Sequence, residues 1–266
     1  MYTGFQLAKK YFQYWVKSSN SHGHGVHSPF VFDFITNVLQ SPKKNKFLFK
    51  EIELLRKTLR QSREELTVVD LGAGSVKGNA STRTVGSIAK NAAKSPKFGQ
   101  LLYKMAVYYR VETILELGTS LGLTTRYLAL AKPLHGVISI EGSPEIAKFA
   151  RQSFINESYE NIELIVGDFS EKLENALAKM KGRKMIFFDG NHQYQSTLDY
   201  FNQSLKYCGE DDIMIFDDIH WSEGMEKAWQ EIKNFKEVSC TIDLFFVGIV
   251  FFRKEFKEKL EFSIRF

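Results

Sequence analysis

The chain has 266 residues, 44% hydrophobic and 25% charged, enough to bury the core of one α/β domain with a helical extension and too apolar for a disordered chain. A formal charge of +5 and a pI near 9.0 allow contact with phosphates, but the 36 Lys and Arg are dispersed among 31 Asp and Glu, without the dense basic tract of a dedicated nucleic-acid binder. Cys208 and Cys240 are the only cysteines, which excludes a disulfide scaffold or a spaced zinc or redox motif and points to a reducing compartment.

Residues 1–19 interrupt their apolar positions with Lys9, Lys10 and Lys17 and have no continuous apolar stretch before a small-residue cleavage site, so no signal peptide is read and a cytoplasmic location is expected. Phe5, Ala8, Tyr11, Phe12 and Trp15 recur near helical spacing, which predicts an amphipathic helix packed on the main domain, with a membrane-surface role as the alternative. The turn-rich residues 18–29 carry His22, His24 and His27. Their alternation with Gly23 and Gly25 gives no helical metal-binding face, so an ordered loop or substrate lid is expected. Residues 30–61 predict one or two helices, interrupted around Ser41, Pro42, Lys43, Lys44 and Asn45. Residues 1–90 therefore read as a cap of helices and loops, part of the same unit as a core over 91–266.

From about residue 95, apolar strands alternate with amphipathic helices, the pattern of βαβ units. Strands are predicted at 112–117, 136–141, 162–166, 184–189, 212–217, 238–243 and 246–252. The last two are joined too tightly for a crossover helix and should form an antiparallel hairpin. The apolar run 244–252 is nine residues long, too short to span a bilayer. The expected fold class is α/β: a Rossmann-like, seven-stranded, mainly parallel sheet with a C-terminal antiparallel hairpin and an N-terminal helical extension.

Two segments look like the glycine turn that lets a nucleotide approach the backbone after a strand: Val68-Val69-Asp70-Leu71-Gly72-Ala73-Gly74-Ser75 and Thr113-Ile114-Leu115-Glu116-Leu117-Gly118-Thr119-Ser120-Leu121-Gly122. A ribose-binding turn needs a helix next and then a second strand ending in an acid. The second segment has that sequel: helix-compatible residues 123–132, then a strand ending at Glu141, twenty-five positions after Glu116, before Gly142-Ser143-Pro144. The first is followed by a polar run and reads as a structural or substrate-side turn. Glu116, Gly118, Thr119, Ser120, Gly122, Glu141, Gly142 and Ser143 are therefore the candidate cofactor residues, with Glu141 the ribose acceptor. A plain strand-end acid is the alternative for Glu141.

Asp189 follows the predicted strand Met185-Ile186-Phe187-Phe188, and Asp217 and Asp218 follow Ile213-Met214-Ile215-Phe216. Ligands gather at the carboxyl ends of parallel strands. Three carboxylates in one crevice repel one another unless a cation joins them, and oxygen-only ligation suits a hard ion such as Mg²⁺. Ordinary strand-end turn aspartates are the alternative.

With these motifs in place, residues 90–252 resemble the class I S-adenosylmethionine-dependent methyltransferases, and more closely their metal-dependent catechol and caffeoyl-CoA O-methyltransferase branch. Phe98-Gly99-Gln100-Leu101-Leu102 adds to the likeness. The resemblance implies that residues 92–95, Lys94 among them, lie near the methionine end of the cofactor. Gly167, Asp168 and Phe169 then sit where adenine is contacted, although Asp168 could equally cap the next helix. The branch carries a metal triad of an Asp after the fourth strand and an Asp-Asn or Asp-Asp pair after the fifth. The twenty-eight positions from Asp189 to Asp217 match, with Asp218 in place of the commoner Asn. His192 stands three positions past Asp189, where catechol-type enzymes have a catalytic lysine; it is the candidate general base, or it orients a metal-bound carboxylate. Asn191 replaces the acidic residue that some sugar methyltransferases carry there. His220 and Trp221 either wall the acceptor pocket or pack beneath the loop, and Tyr194, Trp229, Phe245 and Phe246 read as core or pocket aromatics.

The expected reaction is methyl transfer from S-adenosylmethionine to an oxygen of a small molecule with neighbouring oxygens, assisted by Mg²⁺ or another divalent cation. The implied small-molecule partner leaves three alternatives open: a hydroxylated tRNA nucleoside as acceptor, a non-catalytic S-adenosylmethionine-binding module, and a nicotinamide-dependent oxidoreductase. The last lacks its Gly-x-Gly-x-x-Gly turn. No membrane span is expected, and a homodimer is an open assembly.

Overall fold

The computed structural model describes residues 1–19, 27–41, 47–69, 80–91 and 94–266. His22 and His24, the expected helix break at Pro42 to Asn45, the Asp70 to Ser75 turn, and Ala92 and Ala93 lie outside the described residues. In chain order the elements are α1 (Gly4–Lys17), α2 (Pro29–Phe34), continued by a π-helical turn Ile35–Leu39, α3 (Lys50–Gln61), β1 (Glu65–Val69), β2 (Ala80–Thr84), α4 (Val85–Asn91), α5 (Pro96–Tyr108) and β3 (Thr113–Leu117). Then come α6 (Leu123–Leu130), β4 (Val137–Glu141), α7 (Pro144–Asn156), β5 (Ile162–Val166), α8 (Phe169–Lys179), β6 (Lys184–Phe188), α9 (Tyr194–Leu205), β7 (Ile213–Asp217), α10 (Glu223–Asn234), β8 (Cys240–Asp243), β9 (Val247–Phe251) and β10 (Leu260–Ser263).

The fold is mixed α/β with mainly parallel, Rossmann-like strands, and all seven expected strands are present within a residue or two of their predicted bounds. Three strands were not foreseen: β1 and β2, which pair antiparallel from Glu65 opposite Thr84 to Val69 opposite Ala80, and β10, which pairs parallel with β8. Among the described residues no helix is long and apolar enough to cross a membrane.

The chain forms two compact units, Met1–Ser41 with Arg183–Phe266, and Pro42–Gly182. In the second unit β4 lies between β3 and β5, all parallel, with Leu115 opposite Ile138 and Ile138 opposite Glu163. Every residue of β3 and β4 is buried, as parallel strands covered on both faces must be. Ile52 and Leu59 of α3, Leu66 and Val68 of β1, Val85 and Ile88 of α4, and Leu123 and Tyr127 of α6 close one core. Proline opens α5 and α7 at positions where its missing N–H costs nothing.

In the first unit the strand order is β10-β8-β9-β7-β6. β6 and β7 run parallel, and β9 runs antiparallel to both β7 and β8, so the expected hairpin is present. Phe188 and Phe216 stack at 4.4 Å between ring centroids across β6 and β7. Helix α10 is capped by Ser222, whose hydroxyl accepts from the Met225 N–H, and it buries Met225, Ala228, Trp229 and Ile232 on one stripe at helical spacing. Met225 and Ile232 each contribute roughly 1.5–3 kcal/mol when fully buried, which helps hold a twelve-residue helix that would be marginal alone.

Candidate active site

The turn after β3 is built by alternating left-handed residues: Gly118 has φ 103°, Ser120 φ 49° and Gly122 φ 73°. The Gly118 and Thr119 N–H groups both donate to the Ile140 carbonyl, at 2.9 and 3.3 Å, which ties the turn to the end of β4. Ser120 pays the side-chain penalty of positive φ, and its N–H is directed at Glu141 Oε2, 2.8 Å away. The other oxygen of Glu141 accepts from the Ser143 N–H at 2.9 Å. One carboxylate thus joins the glycine turn to the start of α7 while each oxygen keeps a lone pair for a further donor. Burial pushes the Glu141 carboxyl above its ordinary range, opposed by the Ser143, Ser120 and Gly142 backbone.

Glu116, in the middle of β3, is fully buried. Its Oε2 accepts from Thr125 Oγ1 and Ser139 Oγ, both at 2.6 Å, and Thr119 Oγ1 lies 2.6 Å from the same Ser139 hydroxyl. Its Oε1 is buried with no hydrogen-bond partner among the described residues. Burial drives this carboxyl up to about 7, against the hydrogen bonds from Ser139 and Thr125. A buried oxygen left unpaired costs about 1–3 kcal/mol and fits a site completed by a polar ligand. Glu141 with spare acceptor capacity, the left-handed turn at Gly118 and the orphaned Glu116 oxygen together suit a ribose-bearing cofactor with a polar tail.

The remaining cofactor candidates divide. Gly122 is required by packing: a Cβ there would lie 2.5 Å from the Phe154 ring. Ser143 Oγ accepts from the Val69 N–H at 3.3 Å, so it also holds β1 to the start of α7. Asp168 is the cap of α8, its Oδ1 accepting from the Ser170 N–H at 2.8 Å and hydroxyl at 2.6 Å, which is the second of its two expected readings. Gly167 takes φ 142°, Phe169 opens α8 half-buried, and Lys94 is half-buried ahead of α5.

Arg126 was missed from the sequence. It is completely buried in α6, and its guanidinium donates to the Gly122 carbonyl at 2.9 Å, to Leu121 O at 3.4 Å, to Ser153 Oγ at 2.7 Å and to Glu157. It clamps the end of the glycine turn onto α7. An arginine on a helix face reads as surface charge, and only its complete burial against Ser153 and Glu157 reveals otherwise.

In the first unit, Asp189 past β6, His192 three residues on, and Asp217 at the end of β7 each present a ligand atom within 4.8 Å of the others. Asp217 is buried and the other two half-buried. The two carboxylates are the oxygen donors a divalent cation takes, and the imidazole stands beside them. The expected all-oxygen triad differs in one member: Asp218 is outside this group and His192 is in it. Asp218 has φ 53° and donates its N–H to the Phe246 carbonyl at 2.6 Å, which turns the chain away from the strand direction.

His220 is held on both ring nitrogens. Its Nδ1 is 3.0 Å from Glu226 Oε1 and its Nε2 2.9 Å from Asp243 Oδ2, and its ring stacks on Phe245. Burial opposes its charged form, but Asp243 and then Glu226 outweigh it and raise the imidazole above its ordinary value. Glu226 also binds Lys10 Nζ at 2.9 Å and Tyr2 Oη at 2.8 Å, so α1 is fastened to the segment that follows Asp217. Trp229 is core, and Tyr194 bonds Glu231 on the surface.

Residues 115–219 match a family model described as a methyltransferase domain. No curated protein matches the chain in sequence. Among solved structures, the O-methyltransferase from Bacillus cereus in complex with S-adenosylhomocysteine aligns over 81% of this chain and 96% of its own at 18% identity and a TM-score of 0.52. The O-methyltransferase TomG from Streptomyces achromogenes in complex with S-adenosylmethionine aligns over 61% and 82% at 19% identity and 0.51. The S-adenosylhomocysteine-bound methyltransferase PaMTH1 of Podospora anserina aligns over 62% and 82% at 16% and 0.53. Residues 115–219 thus match a methyltransferase-domain model, and the chain has the fold of these solved methyltransferases.

Proposed function

We propose that the protein transfers a methyl group from S-adenosylmethionine to one oxygen of a small molecule with two neighbouring oxygens, with the help of a divalent cation. The observation that carries this reading is the Asp189, His192 and Asp217 cluster in a chain with a methyltransferase fold. In the cofactor half, Glu141 accepts from the ribose hydroxyls, the Gly118 turn admits the cofactor backbone-close, and Glu116 faces its polar tail. Gly142, Ser143 and Lys94 belong to the same binding segment, and Gly167 and Phe169 to the adenine end.

Asp189 and Asp217 would hold the cation, which when bound would supply the positive charge that lowers the pKa of an acceptor hydroxyl. His192 accepts that hydroxyl's proton. The acceptor oxygen's electron pair forms the new O–CH₃ bond as the S–CH₃ bond of the sulfonium breaks, its pair returning to sulfur to leave S-adenosylhomocysteine. Alignment of the two reactants supplies most of the rate.

Transfer of labelled methyl from S-adenosylmethionine to catechol tests this. Turnover is expected in the presence of Mg²⁺ or Mn²⁺ and is expected to vanish with chelator or in Asp217→Ala, while S-adenosylhomocysteine still raises the melting temperature of that variant. Undiminished turnover of Asp217→Ala would remove the metal from the account.

A further inference from the structure

Among the described residues, the side-chain hydrogen bonds of helix α1 to other elements lie mainly on one side. Tyr2 and Lys10 bind Glu226, Tyr14 donates to the carbonyls of Asp243 and Ile264, and a capping box between Thr3 and Gln6 fixes the first turn. No residue of α1 is fully buried. Phe5, Phe12, Val16 and Trp15, respectively 82%, 65%, 56% and 47% exposed, fall together on the opposite side at helical spacing, with Ala8 among them. Folded chains seldom leave such an apolar stripe open to water.

The charge around the stripe identifies its occupant. Residues 1–19 contain no Asp or Glu. Lys9 and Lys17 are exposed on α1, and Arg265 lies 4.2 Å above the Trp15 ring and donates its Nε–H to the Trp15 carbonyl at 2.7 Å. An aromatic stripe flanked by Lys9, Lys17 and Arg265, on a segment without acids, complements a surface that is apolar beneath and anionic above. A second copy docked isologously would set the same lysines against one another with no carboxylate in this segment to answer them. At fourteen residues, about 21 Å, the helix is also too short to span a bilayer.

We propose that α1 seats this protein on an anionic membrane surface, its aromatic stripe at the boundary between headgroups and acyl chains and Lys9, Lys17 and Arg265 toward the lipid phosphates. The inference stands on α1 alone and is independent of the methyl-transfer reading.

Co-sedimentation of the full chain with vesicles of phosphatidylglycerol and phosphatidylcholine, and with vesicles of phosphatidylcholine alone, tests it. Binding is expected to the anionic vesicles only and to weaken as salt rises. The double variant Phe5→Ser with Phe12→Ser should bind at least about tenfold more weakly with an unchanged circular dichroism spectrum. Lys9→Glu with Lys17→Glu, on fully solvated positions, should lose binding in the same way. Absence of binding by the unaltered chain, undiminished binding by the charge-reversed variant, or a dimer in light scattering that the Phe5 and Phe12 changes split would overturn the proposal, the last by making a second copy the occupant.

Discussion

Glu116 concentrates the chemistry of the cofactor half in one carboxyl. Its folded value of about 7 lies above the 4.5 of an unfolded chain, so the folded state holds the proton more tightly. The contribution this makes to stability is complete below about pH 4.5 and is lost as pH rises through about 7, where the buried anion costs up to about 3 kcal/mol. Glu116→Gln cannot ionise. In urea unfolding between about pH 5 and 8 the variant should gain on the natural chain as pH rises; a difference independent of pH would show that Glu116 is not protonated in the fold. His192 answers to a different readout. As the proton acceptor, its change to Gln lowers turnover about 10²–10⁴-fold while the metal concentration for half-maximal activity stays put. A large rise in that concentration would make His192 a ligand instead.

At this scale, residue type and strand-end position marked Glu141, Asp189 and Asp217 as candidates, and the family resemblance added His192; the structure places Asp189, His192 and Asp217 close together. What they could not give is the backbone angle that parts Asp218 from Asp217, the depth at which Arg126 lies, or the two carboxylates that hold His220. Those depend on partners far along the chain.

Among elements, the glycine turn with α6 and α7 behaves as one piece. Gly122 needs φ 73°, and a Cβ on it would meet the Phe154 ring at 2.5 Å and Arg126 Nη1 at 2.9 Å. Gly122→Ala should therefore cost roughly 2–4 kcal/mol in denaturant unfolding, strain and overcrowding adding. A loss under about 0.5 kcal/mol would mean that the turn is far more compliant than drawn. The strands that alternate with helices were legible because each is a short apolar run between turn signals. β10 was not: only Leu260 and Phe262 alternate with polar neighbours, and the strand exists through its parallel pairing with β8. β1 and β2 were hidden for a related reason, since Ala80 to Thr84 has no apolar side chain beyond alanine and is held in register by β1.

At the scale of the whole molecule, the first ninety residues do not act as a block: Met1–Ser41 goes with one compact unit and the stretch from Pro42 with the other. The reason is visible in single contacts. α1 is tied by Tyr2 and Lys10 to Glu226, more than two hundred positions away, whereas β1 is tied by Val69 and Thr67 to Ser143 and Glu145. Sequence proximity carries no information about such pairings, while the methyltransferase domain over 115–219 is contiguous and announces itself in order.

The central claim is that the turn after β3 and Glu141 grip S-adenosylmethionine. Isothermal calorimetry with S-adenosylhomocysteine on the natural chain and on Glu141→Ala tests it most directly. Saturable binding by the natural chain is predicted, weakened about 10- to 100-fold in the variant through lost ribose hydrogen bonds to a charged group. Equal affinity in both, or binding of NAD in place of S-adenosylhomocysteine, would contradict it.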